Sequence, residues 1–165
     1  WYRKAAEQGY VKPRPVKKVK IKTVKHKIVE DAKTVKHTII EDAEVQFQRA
    51  RAYSEGKEVP RDTTQAALWY QKAAEQGHIE AQFRLGGLYH FGIGVPQDVE
   101  QAKLWYRNAA VQGYADAQLS LGMMYFNELH IPRDLPQAKQ WLLLAAEQEN
   151  EDAIAILNQV NMMLH

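Results

Sequence analysis

Cysteine is missing altogether from the 165 residues. Its absence excludes disulfide frameworks, thiolate zinc sites, iron–sulfur clusters and cysteine nucleophiles. It leaves the compartment open, because reducing cytosol and oxidising periplasm both tolerate a Cys-free chain. Long apolar runs are missing too. The longest, Trp141 to Ala146, falls far short of the roughly 18 to 20 residues that a membrane-spanning helix needs. There is no initiator Met and no signal-like stretch before the opening Trp1, so the chain reads as a fragment whose natural start lies upstream.

Chemistry-bearing patterns are equally scarce. No two of the histidines, His26, His37, His78, His90, His130 and His165, stand at i, i+4, the spacing that would put two ligands on one helix face. Gly92-Ile93-Gly94 lacks the Lys and the preceding strand of a phosphate loop. Ser54 and Ser120 have no His or Asp at a nucleophile-motif offset. The sequence predicts no catalytic residue, no metal and no cofactor, and His78 reads as a packing residue at a helix start.

What is present is a period of 36. Trp69, Trp105 and Trp141 recur at that interval, as do Tyr53, Tyr89 and Tyr125, Pro60, Pro96 and Pro132, and Asp62, Asp98 and Asp134. Between Gln65–Gly77 and Gln101–Gly113, nine of thirteen positions are identical, and Trp1–Gly9 matches Trp69–Gly77 at eight of nine. A fixed period of this size marks units that stack. Each unit resolves into two helices. The first runs from about Glu44, Glu80 and Asp116 to about Ser54, Phe91 and Asn127. The second follows Asp62, Asp98 and Asp134, each three residues before a Gln, as in an acidic capping box. Gly77 and Gly113 supply left-handed C-caps, with Asn150 or a neighbour in the third unit. Helices of about 11 residues are marginal alone, so stacking must stabilise them. The Trp and Tyr ladders read as buried core, with Leu68, Trp69 and Ala73 on one stripe. Gly86 and Gly122, Ala50 in the first unit, read as sites of close helix approach against Ala73 and Ala109. Ile156, Leu157, Val160 and Leu164 give residues 151–165 the apolar stripe of an end cap.

The repetition breaks after Tyr10. Tyr10 and its register equivalent Asp42 lie 32 residues apart, so 11–42 reads as an insert. Residues 11–27 carry a local charge of +8 with no acid, leaving 14 basic and 20 acidic residues elsewhere, a net of −6. The near-neutral total of +2 hides two opposed parts. Thr23–Ala32 and Thr34–Ala43 form a second repeat eleven residues long. Its apolar spacing averages close to the ~3.67 residues per turn of a straight striped helix. The spacing predicts an extended segment over 11–22 and one long helix from about 24 merging into the first helix at Glu44. Pro13 and Pro15 bar a helix earlier. The basic side chains, Lys17, Lys18, Lys20, Lys22, Lys25 and Lys27, admit a solvated linker, attachment to an acidic protein surface, or nucleic acid or anionic lipid. No aromatic stands between Val11 and Val45, which counts against single-strand binding.

The run A-x-x-W-Y-x-K-A-A-x-Q-G, with A-x-A-Q-x-x-L-G-x-x-Y-x-x-G-x-G-V-P-x-D beside it, is best seen in Glu80–Gly113 and resembles the SEL-one-like repeat (SLR), a relative of the tetratricopeptide repeat. The resemblance covers 1–10 and 43–165, divided as a truncated second helix (1–10), units 43–78, 79–114 and 115–150, and the cap. Arg49 departs from it where Leu is expected, Glu58 and His130 where Gly94 stands, and Glu128 where Gly92 stands. It implies an all-α solenoid of stacked antiparallel helix pairs that binds a protein or peptide on its concave face and has no shared catalytic residues. By the same resemblance the groove-facing positions are Glu44, Phe47, Arg51 and Ser54, then Glu80, Phe83, Gly87 and His90, then Asp116, Leu119, Met123 and Phe126. Packing positions repeat between units, whereas partner-reading positions vary. Two further functions stand beside the scaffold: an immunity or inhibitor protein that plugs a toxin or effector enzyme, and a self-associating assembly element.

Overall fold

The computed structural model describes residues 41–127 and 132–164. Seven helices account for these residues, with no strand among them: α1 (Ala43–Glu55), α2 (Thr63–Glu75), α3 (Ile79–Phe91), α4 (Val99–Val111), α5 (Ala115–Asn127), α6 (Leu135–Ala146) and α7 (Glu151–Met163). The period of 36 reappears in their starting positions. Packing is most extensive within the pairs α1/α2, α3/α4 and α5/α6, and consecutive pairs are joined through α2/α3, α4/α5 and α6/α7. This nearest-neighbour stacking is the signature of a solenoid.

The sequence explains each helix start. Asp62, Asp98 and Asp134 accept hydrogen bonds from the backbone N–H of Gln65, Gln101 and Gln137 at 2.9, 3.0 and 3.0 Å, satisfying donors that have no partner inside the helix. The Gln side chains do not complete the box. The backbone N–H of each Asp already donates to the carbonyl of Tyr53, Tyr89 or Tyr125 at 2.9 to 3.0 Å, which pins each second helix to the end of its own first helix. Helix α1 starts at its own cap: Asp42, with ψ 141°, accepts from Glu44 N–H at 3.1 Å. That break corrects the expectation of a helix running unbroken from the insert into Glu44, because a side chain that bonds the backbone locally competes with helix continuation. The remainder of the insert, including all six lysines of the basic segment, lies outside the described residues, as do Glu128 and His130.

Helix ends follow the sequence with one shift. Gly77 and Gly113 are left-handed, φ 88° and 90°, but in the third unit that conformation falls on Glu149, φ 63°, while Asn150 instead caps α7 by accepting from Ala153 N–H at 2.9 Å. A side chain with a Cβ is strained there. Glu149→Gly is therefore expected to stabilise the protein by about 0.5 to 1 kcal/mol, read by urea unfolding.

The core differs from the expected Trp ladder. Tyr70, Tyr106 and Leu142 are buried, whereas Trp69, Trp105 and Trp141 are half-buried and Leu68 is exposed. One residue along a helix is a rotation of about 100°, so when Tyr106 points into its own pair, Trp105 points to the flank. There Trp105 and Trp141 lean on clusters that span the preceding unit and their own, and their packing joins units. Gly86 and Gly122 are close-approach sites, but against Tyr106 and Leu142 rather than Ala73 and Ala109: an added Cβ would lie 2.7 Å from either side chain. The reason is again the helix angle, which aims the 106 and 142 positions at the paired first helix.

A glutamine ladder runs through the stack. Gln46, Gln82 and Gln118 are buried. They accept from the side-chain amides of Gln76, Gln112 and Gln148 at 2.8, 2.7 and 2.8 Å. Gln82 and Gln118 also donate to the carbonyls of Ala74 and Ala110, each at 3.1 Å, tying each first helix to the second helix before it. Gln82→Leu keeps the volume but removes both bonds. It should cost about 1 to 3 kcal/mol by urea unfolding, and Gln112→Leu less, since Gln112 is exposed.

Candidate functional site

The first helices carry the positions that vary from unit to unit. On α1, Arg51 is exposed and paired with Glu55 at 3.1 Å, and Ser54 is half-buried. Phe47 is removed from the expected surface. It is only 3% exposed and stacks on His78 with ring centroids 4.3 Å apart. His78 accepts from Ala81 N–H at 3.1 Å and meets Glu44 at 3.1 Å, the helix-start role expected of it. On α3, Glu80 is paired with Arg84 at 3.1 Å and Gly87 is half-buried. His90 stacks on Phe91 at 4.6 Å and stands edge-on to Tyr106. On α5, Asp116 and Met123 are exposed, while Leu119 and Phe126 are half-buried.

Four of these residues meet in one place. Phe83 and His90 from α3, and Met123 and Phe126 from α5, line a cavity of about 410 Å³. Phe91, Tyr106, Ser120, Met124, Asn127 and Ile156 complete it. The volume lies in the range of pockets that take ligands or side chains, roughly 300 to 1,000 Å³. The lining is aromatic and thioether-rich, a surface that adapts to what it contacts. Arg51, Ser54 and Glu80 lie outside the lining. Ile156 was legible in principle: it occupies the repeat position of Gln48, Arg84 and Ser120, and an apolar residue at a polar position of the register marks a local change. Tyr106 gave no such signal, because its spacing only marks core.

Electrostatics in the pocket centre on Tyr106. It is 4% exposed, and burial pushes its phenol up to about 12. Burial also raises Tyr70, and raises Tyr114 with Glu80 and Asp116 adding to it. The fold favours the neutral phenol. Tyr106 thus contributes stability that is complete below pH about 10 and is lost as pH rises through about 12. The loss is about 2 to 3 kcal/mol. Urea unfolding across that interval should show a steeper decline for the parent chain than for Tyr106→Phe.

Among the described residues no group of three or more His, Asp or Glu could hold a metal ion, and no helix is long and apolar enough to cross a membrane.

Comparison with known proteins places this architecture. The Sel1 repeat model matches residues 1–10, 43–78, 79–114 and 115–150. A protective antigen of uropathogenic Escherichia coli with an SLR fold is 36% identical over 82% of this chain and 27% of its own, with a TM-score of 0.65. A Sel1 repeat protein from Oxalobacter formigenes is 30% identical over 76% of this chain and 51% of its own, with a TM-score of 0.69. The chain thus spans about a quarter of the first structure and about half of the second. No curated protein matches it. Capped 36-residue helix pairs, the stacking of each on its neighbour and the matched units together make this chain a member of the Sel1 repeat family.

Proposed function

We propose that the chain is a non-catalytic scaffold that holds another protein or a peptide against the face formed by α1, α3 and α5. Sel1 repeat proteins are in general protein-interaction scaffolds and typically non-catalytic. The observation that carries the reading here is the aromatic and methionine-lined cavity at Phe83, His90, Met123 and Phe126. It opens where the repeats differ in sequence: Arg51, Gly87 and Met123 share one repeat position, and Ser54, His90 and Phe126 another. Met123 is 47% exposed there, and an exposed thioether beside an aromatic ring suits a contact surface. The basic segment at Lys17, Lys18, Lys20, Lys22, Lys25 and Lys27 supplies a second contact for an acidic protein surface.

The test is affinity capture by the intact chain and by a variant carrying alanine at Arg51, Met123 and Phe126, with circular dichroism confirming unchanged helix content. Loss of partners from the folded variant supports the reading. Retention of every partner overturns it.

A further inference from the structure

We infer that the pocket between α3, α5 and α7 seats one large apolar side chain of a partner segment whose neighbouring residue is acidic, with the Tyr106 hydroxyl donating to the segment's backbone carbonyl and Arg133 meeting the carboxylate. The inference rests on the face being an interaction surface and adds the chemistry of what it holds.

Two polar groups stand out in an apolar setting. Tyr106 is buried and lines the cavity, yet among the described residues its hydroxyl has no hydrogen-bond partner. The first-unit equivalent, Tyr70, has the Ser54 hydroxyl beside it. In the second unit that Ser position is His90, whose ring meets the Tyr106 ring edge-on at 6.2 Å rather than capping the phenol oxygen. The Tyr106 oxygen is not one of the fully buried polar atoms left without a partner, which among the described residues are Glu41 Oε2 and Asn161 Oδ1, so it faces open space, and the cavity Tyr106 lines is where a partner can supply an acceptor.

Arg133 is the second group. Its guanidinium lies 5.2 Å above the ring of Phe126, which lines the pocket, and its Nη2 donates to Met163 Sδ at 3.1 Å. Among the described residues it has no carboxylate partner. A cation held over an aromatic ring keeps its charge and its remaining donors, oriented for a planar carboxylate. The other arginines on this side, Arg51 and Arg84, are already paired with Glu55 and Glu80. Asp116 lies seven residues before Met123 on α5, about 10 Å along the helix and at the distance where salt screens exposed charges. Among the described residues Arg133 is thus a cation beside the pocket with no carboxylate partner, and it is the group that a partner's acidic side chain would meet.

The test titrates four capped dipeptide amides, Phe-Glu, Phe-Gln, Phe-Lys and Ala-Glu, into the full chain and follows backbone and methionine methyl NMR signals of the pocket. The order expected is Phe-Glu tightest, Phe-Gln roughly three-fold weaker, the size of an exposed ion pair, and Phe-Lys and Ala-Glu weaker still. In Arg133→Gln the Phe-Glu and Phe-Gln probes should bind alike, and in Tyr106→Phe all three Phe probes should weaken together. Equal affinities for Phe-Glu and Phe-Lys, or an unchanged order in Arg133→Gln, overturn the acidic neighbour and leave the face intact. If no probe moves a pocket signal, the pocket as an anchor site falls, while the capture experiment with the triple alanine variant decides the wider face independently.

Discussion

Leu121→Ala should lower stability by about 3 to 5 kcal/mol, Leu85→Ala by a similar amount, and Leu157→Ala by about 1 to 2 kcal/mol. The three leucines occupy the same repeat position, so chemistry and helix register are held constant and only the surroundings change. Leu85 and Leu121 have no exposed surface. Leu121 sits among Ala109, Ala110 and Ala117 with Trp141 packed against that cluster. Leu157 is half-buried and packs against the α6/α7 cluster; among the described residues no second helix follows α7. Urea unfolding of the three variants measures the series. Equal losses at 121 and 157 would show that α7 is covered as fully as the inner helices. The first unit has Arg49 at this position. Its guanidinium lies 4.3 Å over Trp69 and pairs with Glu41 at 2.9 Å, so it uses its stem and its planar charge where the other units use an aliphatic side chain.

Gly94→Ala carries the other large expected effect, about 2 to 5 kcal/mol. The left-handed conformation, φ 72°, costs a residue with a Cβ about 1 to 2 kcal/mol. The added carbon would also lie 2.1 Å from the carbonyl oxygen of Thr63 and 2.4 Å from its carbon. Backbone cannot swing aside as a side-chain tip can, so the loop and α2 must separate, at a further cost of about 1 to 3 kcal/mol. Gly77→Ala is the control: φ is 88° but nothing lies within 4 Å of the new carbon, so only the conformational part, about 1 kcal/mol, should appear. If both substitutions cost the same in urea unfolding, close packing of the loop on α2 is not what requires Gly94. Glu58 stands at the same repeat position, adopts φ 66° and is exposed, so the conformation alone tolerates a side chain.

Part of the cavity lining lies at positions the sequence already singled out, and the rest has a common cause. The family resemblance put Phe83, His90, Met123 and Phe126 on the variable face, and comparison of the repeats singled out His90, Met123 and Phe126 as positions that differ from unit to unit; all four line the cavity. Phe47, put on that face by the same resemblance, is buried instead. It shares its register with Phe83 and Leu119, but only in the first unit is the residue beyond it a histidine, whose ring closes over it. Tyr106 and Ile156 entered the pocket through α4 and α7, and no spacing within α3 or α5 could announce them.

The sequence by itself determined the period, the helix boundaries to within a residue or two, the caps at Asp62, Asp98 and Asp134, and the family. These are local matters, set by which side chain can satisfy a backbone donor and which residue tolerates a left-handed turn. Only the tertiary structure decided that Tyr106 and Leu142, rather than the tryptophans, fill the pairs, that buried glutamines bind one unit to the next, and that the variable face closes into a cavity. Those outcomes depend on the rotation of each helix about its axis and on side chains brought together from units 36 residues apart, and a linear pattern fixes neither.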